Sequence, residues 1–442
     1  MTADEHVDIP VAGRPPLRVR LDSAAPFGWW PAVCIALVAF IDRVEFNLMA
    51  GALPVIQREL GFGDTAGGAI ASAAAVAGII LLIPAGRLAD RGRRTWILAA
   101  VVGVWSLLTL GSGLVTTYAM LFAVRVMLGG AGLLYNPAGS SLLADYFPGS
   151  SRARAFALER FGYFAGPAGG VIAGGALAGL YGWRTMFFLV AVPGIVIALL
   201  CLTLREPARG TGDRIELLRT GERPAAPQHL TPRGSTLREM RGLLTIRTLR
   251  AIVIGLSTLF FGLGGLMFWL PTFYARTFGL SSGAASAIAG SVGLVGMIAG
   301  ALVSARLGDR WSHRRVTLGA IGLMIGALSL AASVAVPMLP VQLFFLGVAN
   351  FGIMLAIPAL TAAVADVVPA ARRGLGFALS QFVVSLAGAF GPLLVGAASE
   401  VTGSLRVAYA LLAVPLVLGA LLTLRGRATL EGDKRAALSV LS

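Results

Sequence analysis

The run PAVCIALVAFIDRVEFNLMAGAL, residues 31–53, decides how this chain is read. It is apolar over the length of about 20 residues that a helix needs to cross a bilayer. Yet Asp42, Arg43 and Glu45 sit at its middle. Ionisable groups at that depth are costly and persist only where they face other protein or a water-filled cavity, which makes them functional candidates by default. Asp42 and Glu45 are three residues apart and share a helix face.

The character of that run extends along the chain. Of 442 residues, 57% are hydrophobic and 13% charged, against about 25% charged in a soluble domain. Twelve apolar segments begin near Gly28, Gly67, Thr95, Tyr118, Ala153, Met186, Ala251, Ser282, Val316, Val341, Leu375 and Val407. The expected fold is an all-α membrane protein of twelve transmembrane helices. The net charge of +15 raises the possibility of nucleic acid, but its placement argues against that partner. Of 36 Lys and Arg, 29 fall on the side that holds both termini; Arg58, Arg184, Arg276 and Arg406 fall on the other, and Arg43, Arg125 and Arg160 lie within spans. Such asymmetry puts both termini in the cytoplasm.

Cys34 and Cys201 lie in apolar runs and imply no disulfide framework. His6, His229 and His313 form no metal cluster, and no nucleophile–base set is present, so neither an enzyme nor a cofactor is expected. Residues 1–27 are polar and read as a cytoplasmic tail rather than a removable signal peptide.

The chain repeats itself. Residues 144–161, ADYFPGSSRARAFALERF, match residues 365–382, ADVVPAARRGLGFALSQF, at an offset of 221 that pairs Asp145 with Asp366 and Pro148 with Pro369. Residues 205–247, rich in arginine, proline and glycine, read as a cytoplasmic linker. They part a six-span bundle at 28–204 from a second at 248–425, with a cytoplasmic tail at 426–442. Paired halves of this kind are how many secondary transporters build a site that alternates between faces.

GRLADRGRR, residues 86–94, follows the second span and resembles the signature loop of the major facilitator superfamily, one residue short between Arg91 and Gly92. An aspartate beside a helix N-terminus meets a partial positive charge. Gly86, Asp90, Arg91, Arg93 and Arg94, with Asp309 and Arg310 of the second copy, are therefore candidate parts of a cytoplasmic gate, the alternative being a simple topogenic loop. Arg125 to Gly129 resembles the superfamily's intramembrane arginine motif, whose guanidinium stays charged and favours an ionised neighbour; a static ion pair is the alternative. Gly162 to Gly170, with Pro167, resembles the proline-glycine motif of proton-linked exporters, and Gly391-Pro392 gives the second half a related kink.

Phe40 to Arg43, Leu53 to Gln57, Leu142 to Pro148, Gly182 to Arg184 and Gly265 to Pro271 together resemble bacterial members of the Spinster family. That resemblance implies export of lysophospholipid-like or sphingoid amphiphiles. It also places Asp42, Arg43 and Arg125 in the family's intramembrane charged set, while the family's glutamate falls on Gly132. Glu45 or Glu159, beside Arg160, would then have to take that part.

The resulting expectation is a monomeric, proton-coupled secondary transporter of the bacterial inner membrane, with the lipid bilayer and an amphiphilic small molecule as partners. The bacterial source rests on the resemblance and on 35 arginines against one lysine. Charge gathers in the first half, whereas the second offers an apolar wall. Tyr135, Asn136, Phe261, Phe268, Trp269, Asn350 and Gln381 are the candidate cavity residues. Uptake of a small organic anion and efflux of hydrophobic drugs are the alternatives.

Overall fold

A bilayer offers backbone groups no water, so apolar spans must satisfy their hydrogen bonds internally, as helices do. The computed structural model describes residues 6–11, 14–20, 23–132, 134–220, 236–310, 314–369 and 372–439; the side chains of residues 85–91 and 308–310 lie outside that description. The long helices are α1 (Trp30–Leu60), α2 (Asp64–Arg91), α3 (Arg94–Leu114), α4 (Tyr118–Gly132), α5 (Tyr135–Tyr146), α6 (Gly149–Tyr181) and α7 (Trp183–Cys201). After α8 (Thr211–Thr220) and α9 (Thr236–Leu243) come α10 (Arg247–Phe278), α11 (Ser282–Arg310), α12 (Arg315–Ala335), α13 (Leu339–Val367), α14 (Arg373–Thr402), α15 (Leu405–Arg425) and α16 (Leu430–Ser439).

Eleven segments are long and apolar enough to cross a membrane, α4 and α5 together forming one of them. The twelfth is α1, 31 residues long, set apart by Asp42, Arg43 and Glu45 at its middle. Large apolar side chains such as Phe161, Leu180, Val295 and Val401 stand exposed, as lipid-facing residues do. The polar N-terminal tail holds structure that its composition does not announce. β1 (His6–Val11) and β2 (Arg14–Arg20) pair antiparallel, and Val19 is buried against Ile215 of α8.

The chain divides into two compact units. The first comprises Met1–Ile56 and Ala74–Leu230; the second comprises Gln57–Ala73 and Thr231–Ser442. The end of α1 and the first turns of α2 thus group with the second half's helices rather than with the rest of their own. Polar contacts account for it: Asp64 accepts from both terminal nitrogens of Arg276 on α10, each at 2.7 Å, and from Ser399 on α14 at 2.7 Å. The linker is not featureless, since α8 lies within it.

Glycines let helices in each unit meet backbone to backbone. On α6, Gly162, Gly166, Gly170 and Gly174 recur every fourth residue against α1. A Cβ on them would lie 2.3 Å from the Ala36 carbonyl oxygen, 2.3 Å from the Arg43 Cβ, 2.3 Å from the Val44 carbonyl oxygen and 2.1 Å from that of Leu48. The corresponding seam of the second unit joins α10 to α14, where a Cβ on Gly391 would lie 2.3 Å from the Phe261 carbonyl oxygen. An ion pair recurs as well. Arg94 pairs with Asp145, and 221 residues on, Arg315 pairs with Asp366 at 2.8 Å. Between α1 and α7 the two cysteine sulfurs lie 3.6 Å apart, both fully buried and unbonded.

Candidate functional site

The sequence of α1 places a carboxylate and a guanidinium side by side at mid-helix, and the fold keeps them there. Asp42 is 4% exposed. Arg43 folds back on its neighbour, its Nε donating to Asp42 Oδ2 at 2.6 Å. The flat guanidinium lies 4.9 Å from the centroid of the Tyr163 ring on α6 and 5.4 Å from that of Phe46. The α1–α6 seam fixes this arrangement, because Gly166 packs directly on the stem of Arg43. Gly132 of α4 borders the same carboxyl: a Cβ there would stand 3.1 Å from Asp42 Oδ1. The position at which the Spinster resemblance calls for a glutamate is therefore a neighbour of Asp42.

Glu45 and Arg125 occupy the next turn. Glu45 is buried and its Oε2 accepts from the Thr109 hydroxyl of α3 at 2.7 Å. Arg125 of α4 is buried too, its guanidinium 4.4 Å from the centroid of the Phe187 ring on α7. Glu159 of α6 is buried beside Arg160, 3.1 Å from its Nε, and Arg160 lies 5.4 Å from the other partner of Arg43, the Tyr163 ring. Four of the six charged candidates, Asp42, Arg43, Glu45 and Arg125, thus gather around the middle of α1; Glu159 and Arg160 join through Tyr163.

The gate candidates divide. The side chains of Gly86, Asp90, Arg91, Asp309 and Arg310 lie outside the described residues. Arg93 is exposed ahead of α3. Arg94 is fully buried and gathers partners from within its own unit: Asp145, the Ser141 hydroxyl at 2.8 Å, Glu206 at 2.8 Å and the Pro207 carbonyl at 2.9 Å. It ties the start of α3 to α5 and to the first residues of the linker. Glu206 gave no signal in the sequence beyond standing at the end of a span.

The cavity candidates divide as well. Asn136 of α5 and Phe261 and Phe268 of α10 are half-buried. Tyr135 is buried edge-on to Trp105 with centroids 5.7 Å apart. Trp269 is fully buried, and its indole N–H donates to the Pro392 carbonyl at 2.9 Å, so it serves the α10–α14 seam. Asn350 is fully buried and donates to the Leu346 carbonyl at 2.9 Å. Gln381 is exposed and donates to Ser385 at 2.9 Å. Thr109, Tyr163 and Phe187 were missed, because hydroxyls and aromatics are ordinary in apolar helices. Among the described residues no cluster could hold a metal ion.

The sequence profile of the Major Facilitator Superfamily matches residues 35–356 and 289–439. Protein spinster of Drosophila melanogaster is 27% identical over 338 residues, 73% of this chain but only 53% of that protein, so the match spans about half the length of the relative. A quinolone resistance transporter of Acinetobacter baumannii is 25% identical over 92% of this chain and 95% of its own. Among solved structures, a bacterial homolog of the human lysosomal transporter Spinster, inward-facing and unoccupied, has a TM-score of 0.74 at 23% identity, covering 93% of this chain and 97% of that one. The membrane-length helices, the repeated halves and a profile match across most of the chain lead to one conclusion: the protein is a multi-pass membrane transporter that belongs to the Major Facilitator Superfamily.

Proposed function

We propose that the protein is a proton-coupled exporter of a single-chain, lipid-like amphiphile, working by alternating access as a monomer in a bacterial inner membrane with both termini in the cytoplasm. Asp42 carries the proton in this reading, and Arg43 and Arg125 are its switching partners. The observation that carries it is the buried Asp42–Arg43 pair at the middle of α1. Burial without water favours the neutral carboxyl and the adjacent guanidinium favours the ionised one, a balance that lets a proton come and go. The substrate class is supported by the second unit, where Leu263, Leu266 and Leu346 stand 221 residues beyond Asp42, Glu45 and Arg125. A small dianion gains no second cation there, whereas an alkyl tail loses nothing. Likeness to a quinolone resistance transporter over nearly the whole chain favours a second reading, efflux of hydrophobic drugs.

The test uses proteoliposomes with an imposed pH gradient and lysophospholipids of increasing chain length, set against dicarboxylates and a quinolone. Each buried methylene contributes about 0.8 kcal/mol, or about fourfold in affinity, until the site is full. Asp42→Asn is expected to abolish gradient-driven transport while the protein stays folded in the membrane. Tight dicarboxylate binding that is lost in Arg125→Gln, with no response to chain length, overturns the amphiphile reading.

A further inference from the structure

Glu45 and Arg125 are neighbours that leave each other's best atoms unused. Glu45 is 2% exposed; Oε2 accepts from Thr109, but Oε1 is sealed from solvent and has no partner. Arg125 is 4% exposed and rests on the face of Phe187. Its Nη1 reaches the Glu45 backbone carbonyl at a long 3.4 Å, while Nε and Nη2 have no partner. A buried charge left without partners is expensive, and a static ion pair would have satisfied both groups at once. A neutral carboxyl costs far less here, and the cation is meanwhile held on an aromatic ring.

The space around Oε1 is kept by a glycine. A Cβ on Gly194 of α7 would stand 2.9 Å from Glu45 Oε1 and 2.2 Å from the Ser106 hydroxyl oxygen, so any side chain there would fill the pocket. The charged groups that act on Glu45 are Arg125 from α4 and Asp42 from its own helix. α3 presents the hydroxyls of Thr109 and Ser106, and α7 presents Gly194 and Phe187. One mobile cation and two carboxyls therefore share this end of the site.

Resting on the transport reading above, we propose that Glu45 is a second proton-carrying carboxyl, distinct from Asp42, which holds its proton while Arg125 lies on Phe187 and releases it when the guanidinium turns onto Oε1. The step forms one ion pair and frees one proton, and the reverse step takes the proton back. Gly132 leaves the carboxyl of Asp42 without an acidic neighbour on α4, and Glu45 supplies the second acid from α1 itself.

Infrared spectra of the whole protein in lipid films, titrated by pH without any substrate, test this through the carboxylic acid C=O stretch. The wild type is expected to lose protonated carboxyl signal in more than one step. E45Q is expected to lack one of those steps while the Asp42 and Glu159 signals remain, and D42N to lack a different one. In R125Q the Glu45 step moves to higher pH, because the ionised form has lost its cation. In proteoliposomes E45Q is expected to move one proton fewer per substrate. Titrations of wild type and E45Q that coincide, or a Glu45 step that R125Q leaves in place, overturn the proposal. The spectra need no substrate, so failure to transport amphiphiles would remove the transport reading and leave this one standing or falling on its own.

Discussion

The two units share a frame and differ in what they bury inside it. Both hold the start of one helix to the end of another with an arginine–aspartate pair, Arg94–Asp145 in the first and Arg315–Asp366 in the second. Both also close a pair of helices, α1 on α6 and α10 on α14, through glycines that admit no Cβ. Yet where the first unit buries Asp42, Glu45 and Arg125, the second has leucines. The contrast separates two kinds of polar residue. Charges at helix ends recur because the fold uses them; charges at mid-span do not recur, so the fold has no need of them, and their cost in an apolar setting is borne for another reason.

The seams offer the severest way to break that shared frame. Gly166→Leu drives a branched side chain into the stem of Arg43, and Gly391→Leu does the same at Phe261; both variants are expected to lose nearly all folded, monodisperse protein in detergent chromatography. Survival of one and not the other would mean that the two seams are not equivalent supports.

The ion pairs give a smaller, graded contrast. Arg94→Ala strands Asp145 and Glu206 in a buried setting, a loss of about 3–5 kcal/mol. Arg315→Ala strands only Asp366, whose side chain is 20% exposed, and is expected to cost about 1 kcal/mol or less. Thermal unfolding in detergent would rank them, and equal shifts would remove the extra weight given to Glu206.

The least change is expected at Phe187. Replacing it with leucine keeps the packing volume but withdraws the aromatic face under Arg125, at about 0.5–2 kcal/mol. A melting temperature lowered in Phe187→Leu and unaltered when the same change is made in an R125Q background would assign the loss to the cation and the ring together.

Much of the frame was legible from the chain. The starts of α4 and α11 coincide with Tyr118 and Ser282, and the other spans begin within a few residues of expectation, since long apolar runs admit few alternatives. The repeat at 221 led to Asp145 and Asp366 before their arginines were seen. Other features had no local sign. The grouping of Gln57–Ala73 with the second unit depends on Asp64 finding Arg276 more than 200 residues away. Within the site, ionisable residues stood out because they are rare at mid-span. Gly194 did not, as one of 57 glycines, and neither did Thr109, though both shape the pocket of Glu45.

The paired thiols of Cys34 and Cys201 have a practical side. They are the only sulfhydryls in the chain, they face each other at 3.6 Å, and both are fully buried. A maleimide or nitroxide reagent in solution therefore finds no native target in the folded protein, and a cysteine introduced on any exposed surface can be labelled against a silent background. Fluorescence or spin-label distances can be read from the natural chain, without first stripping it of residues that pack its first and sixth spans together.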